Sequence, residues 1–312
     1  MSEQQDLFEH LLPKPGPRHV EQLCRAQADL PAQLYLGTTS WSNEDWEGLV
    51  YPQGCASQDY IEHYSRVFGV VEVDSTWYRI PSQRTVEGWL RRTPQHFKFA
   101  AKVPRIVTHE KGMVDCGAEM EEFLAVMGRL RERLGPLLLQ FEYVARGRDA
   151  REYESGEDFC ERLSRFLPTL PTDEIDFVVE VRNGKWVGRK LVDLLAQHRV
   201  CMALTSYYTM PDIAEVRKKL LNPVSAGFLY VRFLGDRKRM DERVGQLVEA
   251  GTKTRHWDEL VVDRSAELRL WSAHLKELAA QHSDLQIFAF FNNHYAGYAP
   301  GSLEIFARAW KS

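Results

Sequence analysis

Acidic and basic side chains recur together at the ends of several short apolar runs in this sequence. Asp74 follows VVEV, Lys102 follows KFAA, and Glu180 and Arg182 lie in FVVEVR, while Arg232 lies in FLYVRFL. Carboxylates can exchange protons with a substrate, and cations can bind an anion. The set is therefore typical of acid–base chemistry on a negatively charged small molecule.

Amide and imidazole side chains follow the last apolar run, IFAFFN (287–292), as Asn293 and His294. Amides can orient a polar ligand, and an imidazole can transfer a proton at physiological pH. Two interpretations of His294 have equal weight, namely a ligand-binding or proton-exchanging group and a cap for local backbone. Residues 300–302 predict the start of the final helix, with Ser302 as its N-cap and its backbone amides as an anion site.

Eight apolar runs alternate with longer amphipathic patterns that are typical of helices. The runs are LYLGTTS (34–40), VVEVDST (70–76), FKFAAKV (97–103), LLLQF (137–141), DFVVEV (176–181), VCMALT (200–205), FLYVRFL (228–234) and IFAFFN (287–292). The alternation predicts a parallel α/β architecture, and eight strands favour a single TIM-type (βα)8 barrel. A doubly wound open sheet is the alternative, but no G-x-G-x-x-G motif follows the first run.

The chain is expected to form one barrel domain. Residues 34–312 make up this domain, and the polar, proline-interrupted residues 1–33 form an N-terminal extension with one short helix. The longest connection, at about 235–263, is charged and is expected to form an excursion over one mouth of the barrel. No internal repeat suggests a second unit.

The polar side chains of the strands are predicted to point into the barrel. Successive side chains alternate across a strand, and the apolar parity must face the helices. Glu72 and Asp74 then share the interior face of one strand, and Tyr230 and Arg232 that of another. The side chains predicted at the C-terminal strand ends, where barrel enzymes place their sites, are Asp74, Lys102, Gln140, Glu180, Arg182, Arg232 and Asn292.

Aromatic side chains near these strand ends suggest a ligand wall, although each one alone is more often part of a core. The predicted catalytic residues are Glu180, Asp74, Lys102, His109 and His294. The predicted ligand-binding residues are Trp41, Tyr78, Gln140, Arg182, Trp186, Tyr230, Arg232, Asn292 and Asn293. The alternative is a structural network in which Glu72, Asp74 and Glu180 neutralise the buried cations.

Composition restricts the class of protein. Hydrophobic residues at 44% and a net charge of −4 are typical of a globular protein without a strongly basic surface. No apolar run is long enough to span a membrane, and the N-terminus does not resemble a secretory signal. The five cysteines are scattered and odd in number, which indicates reduced thiols and a cytoplasmic location. No cofactor or metal is predicted.

Seven ordered motifs resemble the YecE-like family, also called domain-of-unknown-function family 72. They are GTTSWSNEDWEGLVYP, VEVDSTWYRIPSQRTVEGW, FKFAAKVPRIVTHEK, LGPLLLQF, VVEVRNGKW, LYVRFLGD and FFNNHYAGYAP, between about residues 34 and 310. The resemblance implies a TIM-type barrel in a bacterial cytoplasmic protein without an assigned biochemical function. The family's recurring polar positions correspond here to the predicted site residues above, apart from His294, and to Ser42, Ser75, Thr76 and Thr108.

The chain departs from the family pattern at several places. Asp74 replaces an Asn, Trp77 replaces a Phe, and residues 141–143 replace a proline-containing turn. Leu234 replaces a His that usually follows the arginine of the seventh strand, and this change removes one candidate proton carrier.

The favoured hypothesis is an enzyme acting on a phosphorylated or sugar-like anion. Lys102, Arg182 and Arg232 would bind the anion, Glu180 or Asp74 would act as base, and a histidine as acid. Lys102 as a Schiff-base nucleophile and a two-carboxylate glycosidase are weaker variants.

Two further hypotheses stay open. A metal-dependent phosphodiesterase could use His109 and His294 with the two carboxylates, although no H-x-H or H-E-x-x-H spacing supports it. A non-catalytic nucleic-acid-binding protein could use the basic side chains of the excursion. Nearby carboxylates reduce the positive charge of this segment, so the hypothesis is not favoured. Its residues are Arg237, Lys238, Arg239, Lys253, Arg255 and Trp257.

Overall fold

A parallel sheet of nine strands curves into a barrel in the computed structural model, which describes residues 17–144 and 155–312. The strands are β1 (Leu34–Thr39), β2 (Val70–Val73), β3 (Lys98–Lys102), β4 (Leu134–Gln140), β5 (Phe177–Glu180), β6 (Cys201–Met202), β7 (Leu204–Ser206), β8 (Phe228–Phe233) and β9 (Gln286–Phe291). Their order is β6-β5-β4-β3-β2-β1-β9-β8-β7.

The barrel closes where one predicted strand is divided in two. The backbone N–H of Ala203 still donates to the carbonyl of Val179 in β5, and Leu204 then pairs with Val231 in β8. The first half of the run 200–205 therefore pairs with β5, and its second half pairs with β8. The predicted TIM-type barrel is confirmed, with the sixth strand split at Ala203.

Helices follow the strands and form the outer layer. They are α1 (Val20–Gln27), α2 (Tyr60–Ser65), α3 (Gln83–Arg92), α4 (Gly117–Met127), α5 (Gly156–Phe166), α6 (Arg189–Gln197), α7 (Ile213–Leu220), α8 (Arg237–Glu249), α9 (Ser265–Gln281), α10 (Asn293–Ala296) and α11 (Ala299–Lys311). Helix α8 lies in the charged excursion. Among the helices of the described residues, none is both long enough and apolar enough to cross a membrane.

Two apolar cores lie on the two sides of the strands. Outward side chains such as Val71 and Val73 pack with the helices, whereas Val70, Ala100 and Leu138 belong to a smaller cluster inside the barrel. The alternation predicted from the sequence holds, because side chains of one parity meet inside the barrel and those of the other parity meet the helices.

The described part of the N-terminal extension packs on the end of the barrel chain. Helix α1 buries Leu23 and Ala26 and contacts α11. The imidazole of His19, just before α1, lies 2.8 Å from the Tyr298 hydroxyl and 2.6 Å from the Glu304 carboxylate. The extension therefore completes the outer layer beside the last helix.

The last helix begins within one residue of the predicted start, but the N-cap assigned to Ser302 was wrong. Helix α11 begins at Ala299, three residues before Ser302, and the Ser302 hydroxyl donates to the carbonyl of Tyr298 at 3.2 Å. The side-chain oxygen of Asn293 instead accepts from the backbone N–H of Ala299 at 2.9 Å. The amide of Asn293, the first residue of the short helix α10, provides the cap that the sequence assigned to Ser302.

Candidate functional site

An arginine bonded to two carboxylates occupies the barrel interior near the C-terminal strand ends. Arg232 of β8 donates to Glu72 of β2 at 2.6 Å and to Glu180 of β5 at 2.7 Å. The Tyr230 hydroxyl donates to the second oxygen of Glu72 at 2.6 Å. All of these side chains are fully or almost fully buried, so the network ties three separate strands together across the barrel.

The charges of this network stabilise one another. Burial alone would lower the pKa of Arg232, but Glu180 and Glu72 outweigh it and raise that pKa well above its usual value. Burial also acts to raise the pKa of Glu180, but Arg182 and Arg232 together lower it below the ordinary value. At Glu72, burial raises the pKa more than the positive charge of Arg232 lowers it, so the pKa of Glu72 lies above its ordinary value.

Arg182 connects the buried network to the mouth of the barrel. Its Nε lies 2.5 Å from Glu180, and its guanidinium lies over the ring of Tyr207, 4.2 Å from the ring centroid. The backbone carbonyl of Arg182 accepts a hydrogen bond from Thr209 at 2.6 Å. Within residues 17–144 and 155–312, no hydrogen bond engages its two terminal nitrogens, so four N–H groups stay available at the strand end.

Lys102 and Asp74 form a second ion pair at the mouth. The Lys102 Nζ lies 3.0 Å from Asp74, and the side chains are 13% and 33% exposed. Burial would raise the pKa of Asp74, but the positive charges of Lys102 and Arg232 outweigh it and lower that pKa. Asp74 is therefore an ionised carboxylate that solvent can reach.

Gln140 lies between the two cations. It ends β4, which pairs with β3 on one side and β5 on the other, and Gln140 is the register partner of Glu180. Neighbouring strands lie about 4.8 Å apart, so the ends of β3 and β5 are separated by roughly 10 Å. Long side chains can converge over such a gap, and Lys102, Gln140 and Arg182 together offer ammonium, amide and guanidinium donors.

The amide–imidazole segment after β9 is tied to its surroundings. Asn292 donates to the Thr39 hydroxyl at 2.7 Å and accepts from the backbone N–H of His294 at 2.8 Å. His294 places Nε2 3.1 Å from Asp241 of α8, and its ring lies 4.8 Å from that of Trp257. Burial lowers the pKa of His294 and prevails over the opposing effect of Asp241. His294 therefore connects the strand end to the excursion.

The remaining predicted residues lie on the rim or outside the barrel wall. His109 packs edge-on against Trp77, with ring centroids 5.2 Å apart, and the neighbouring Tyr78 is 72% exposed. Trp41 packs edge-on against Trp89 of α3, and Trp186 stacks on Phe159 of α5. Both tryptophans therefore contact helices of the outer layer.

Several residues of the site were missing from the sequence-based set. Glu72 was predicted on the interior face and in the alternative structural network, but it was not among the predicted catalytic or ligand-binding residues. Tyr207 and Asp241 were not predicted, because only the fold brings the residue after β7 to Arg182 and a residue of α8 to His294.

The basic side chains of the excursion are largely engaged by acceptors. Lys253 pairs with Asp258 and Glu259, and Arg255 donates to the backbone carbonyl of Glu47 at 2.7 Å. Arg239 lies 3.4 Å from Asp236. The described part of the chain contains no group of three or more histidine, cysteine or carboxylate side chains that could hold a metal ion.

Comparisons with known proteins agree with the fold and assign the family. The model of the family "Protein of unknown function DUF72" matches residues 35–312. The chain is 27% identical to the UPF0759 protein YunF of Bacillus subtilis (strain 168) over 275 residues, covering 85% of this chain and 90% of that protein. It is 30% identical to the UPF0759 protein YecE of Escherichia coli (strain K12) over 156 residues, about half of each chain.

A solved structure shows the same architecture. A DUF72 family protein from Thermotoga maritima MSB8 superposes with a TM-score of 0.66 and 26% identity, covering 89% of this chain and 99% of that one. The family match spans the whole barrel and includes the strand ends that carry the charged network. On this evidence, the chain belongs to the DUF72 family of proteins of unknown function.

Proposed function

We propose that this protein is an enzyme that acts on an anionic small molecule, phosphorylated or sugar-like, at the C-terminal mouth of its barrel. One observation carries the proposal: Lys102 and Arg182, only 13% and 12% exposed, flank Gln140 at the ends of three neighbouring strands. Each cation uses one carboxylate contact for orientation and keeps further donors for a ligand.

Arg182 and Lys102 are the anion-binding groups of the proposal. A guanidinium can bind a phosphate or carboxylate through two parallel hydrogen bonds. Its Nε contact with Glu180 and its stacking on Tyr207 hold its plane before any ligand arrives. Such preorganisation reduces the entropy that binding must overcome.

Asp74 is the proton acceptor of the proposal, and Glu180 is a positioning residue. Both oxygens of Glu180 face arginines in a buried position, whereas Asp74 is partly exposed beside Lys102. The lowered pKa keeps Asp74 ionised at neutral pH, which is the state that a base requires.

A thermal-shift screen tests the binding step. Purified protein is heated with inorganic phosphate, sugar phosphates, nucleotides, neutral sugars and divalent metals over a range of concentrations. We expect one phosphorylated or anionic class to raise the melting temperature progressively with concentration. The shift should be lost in Arg182→Ala and kept in Arg269→Ala, a matched change at an exposed arginine of α9.

A turnover assay with the stabilising class tests catalysis. Asp74→Asn should lower kcat by roughly 100- to 10,000-fold while the thermal shift persists, since the base is lost and the cations stay. Unchanged kcat would remove Asp74 from the mechanism. If no ligand shifts the melting temperature and Arg182→Ala only melts earlier, the network is structural and the proposal fails.

A further inference from the structure

We infer that a groove on the outside of the barrel, between residues 57–61 and helix α3, binds the phosphate group of a small molecule. The groove has a volume of about 390 Å³. It lies outside the barrel mouth and shares no lining residue with the site proposed above. Its floor contains Trp41, Trp89 and Ile61, and its wall carries three arginines, Arg84, Arg91 and Arg92.

The charge of the groove is one-sided. Within residues 17–144 and 155–312, no carboxylate lines it, and none of its three arginines forms an ion pair. Helix α3 has a single acidic residue, Glu87, which lies 3.4 Å from Arg129 outside the groove. Three positive charges around one concave surface create a positive electrostatic potential, which attracts an anion.

Gly88 leaves the space between two of these arginines open. Arg84 and Arg91 are seven positions apart, so they lie on one face of α3 about 10.5 Å apart along its axis. Gly88 lies on that face between them, and the nearest atom that a Cβ there would meet is Nη2 of Arg91 at 3.9 Å. A glycine lowers helix propensity, and no packing contact requires one here.

The donors of the groove match a phosphate group. Guanidinium groups bind phosphate oxygens with charge-assisted, bidentate hydrogen bonds. Arg92 is held in place by its bond to the Gln58 carbonyl at 2.5 Å. Arg84 and Arg91 are exposed, and the guanidinium of Arg91 reaches back towards Gly88. The partly exposed Trp41 beside them offers an apolar surface for the rest of the ligand.

Calorimetric titration with inorganic pyrophosphate tests the inference. We expect saturable binding that Arg84→Gln and Arg91→Gln each weaken at least fivefold. Gly88→Leu should weaken it at least tenfold by filling the space, without a lower melting temperature, because leucine favours helix more than glycine does. Arg269→Gln, which removes an exposed arginine far from the groove, should leave Kd within twofold.

The same titration in Arg182→Ala separates this groove from the barrel mouth. Binding that persists in Arg182→Ala and weakens in the Arg84 and Arg91 variants supports the groove, whatever becomes of the proposed enzyme activity. A lower Kd for ADP than for pyrophosphate indicates that the ligand is a phosphate ester whose ring packs on Trp41. Equal Kd values indicate that the groove recognises the phosphate alone. No saturable binding, or wild-type Kd in both arginine variants, overturns the inference.

Discussion

Glu72, Glu180 and Arg232 show how a buried charge is tolerated in the barrel interior. Arg232 is 1% exposed, and each of its two carboxylate partners is completely buried. An arginine in this position is stable only while both partners are present, because an unpaired buried charge loses its hydration without compensation. The network therefore stabilises the strand ends from which Arg182 reaches the mouth.

Replacement of Arg232 tests this dependence. Arg232→Met should destabilise the fold by about 3–5 kcal/mol at neutral pH, since it leaves Glu72 buried without its arginine and Glu180 with only Arg182 as a cation. Urea unfolding measures the difference. Arg165→Met removes an exposed pair with Glu161 and should cost no more than about 1 kcal/mol. Equal effects of the two changes would contradict the structural importance of the network.

Asp74 gives a prediction about pH. Its pKa is lowered in the folded protein, so its ionised form contributes stability above the unfolded pKa of about 4, and this contribution disappears as the pH falls. The wild type should exceed Asp74→Asn in unfolding free energy at neutral pH, and the difference should shrink below roughly pH 4. Parallel pH profiles of the two proteins in urea unfolding would show that the ion pair with Lys102 contributes nothing.

Strand β1 approaches β2 so closely that one of its residues must lack a side chain. A Cβ at Gly37 would lie 2.1 Å from the backbone carbonyl oxygen of Val70, its register partner. The backbone of a central strand cannot move away without breaking its ladder. This contact explains why β1 contains a glycine in its interior.

Gly37→Ala should therefore cost roughly 3 kcal/mol or more, the upper range for overpacking a tight interior. The comparison is Gly69→Ala, where a Cβ meets no atom within 4 Å and the effect should stay within about 0.5 kcal/mol. Both values come from denaturant unfolding. A stable Gly37→Ala protein would mean that β1 and β2 separate more easily than their register indicates.

The turn from β9 into α11 depends on Asn293. Its side chain accepts from the first backbone N–H of α11, so Asn293→Ala should cost about 1 kcal/mol of unfolding free energy. Asn293→Asp keeps the acceptor and should restore most of the loss. If alanine leaves stability unchanged but weakens ligand binding, Asn293 acts as the ligand-binding residue predicted from the sequence.

The barrel is completed by a segment that precedes its first strand. Helix α1 contacts α11, and Leu23 is fully buried in the outer core. His19 adds polar contacts with Tyr298 and Glu304 from the other end of the chain. Residues far apart in sequence thus cover the same side of the barrel, and folding must bring them together.

Leu23→Ala measures how much this covering segment contributes. It should destabilise the whole barrel by about 2–5 kcal/mol, as for other buried leucines. Leu270→Ala on α9 removes a 41% exposed side chain and should cost far less. A single cooperative transition with a lower midpoint is expected for Leu23→Ala. An unchanged midpoint would show that α1 does not share the stability of the barrel.

Local patterns in the sequence were enough to establish the barrel and the charges inside it. Strand periodicity depends on side chains alternating across the backbone, so the interior parity of Glu180 and Arg232 follows from neighbours in the chain. The number of apolar runs and their spacing predicted the parallel architecture for the same local reason. The cap of the last helix was missed because the capping amide belongs to Asn293, six residues upstream, at the start of the short helix α10.

Only the tertiary structure decided which partners these charges have. The sequence could not show that Arg232 bonds to Glu72 and Glu180 rather than to Asp74, because those contacts span 160 and 52 positions and depend on barrel closure. Likewise, only the folded chain brings Trp41 against Trp89 of the outer helix α3, 48 positions away in sequence. Periodicity specifies the face on which a side chain lies, whereas its contacts depend on how distant strands and loops meet in space.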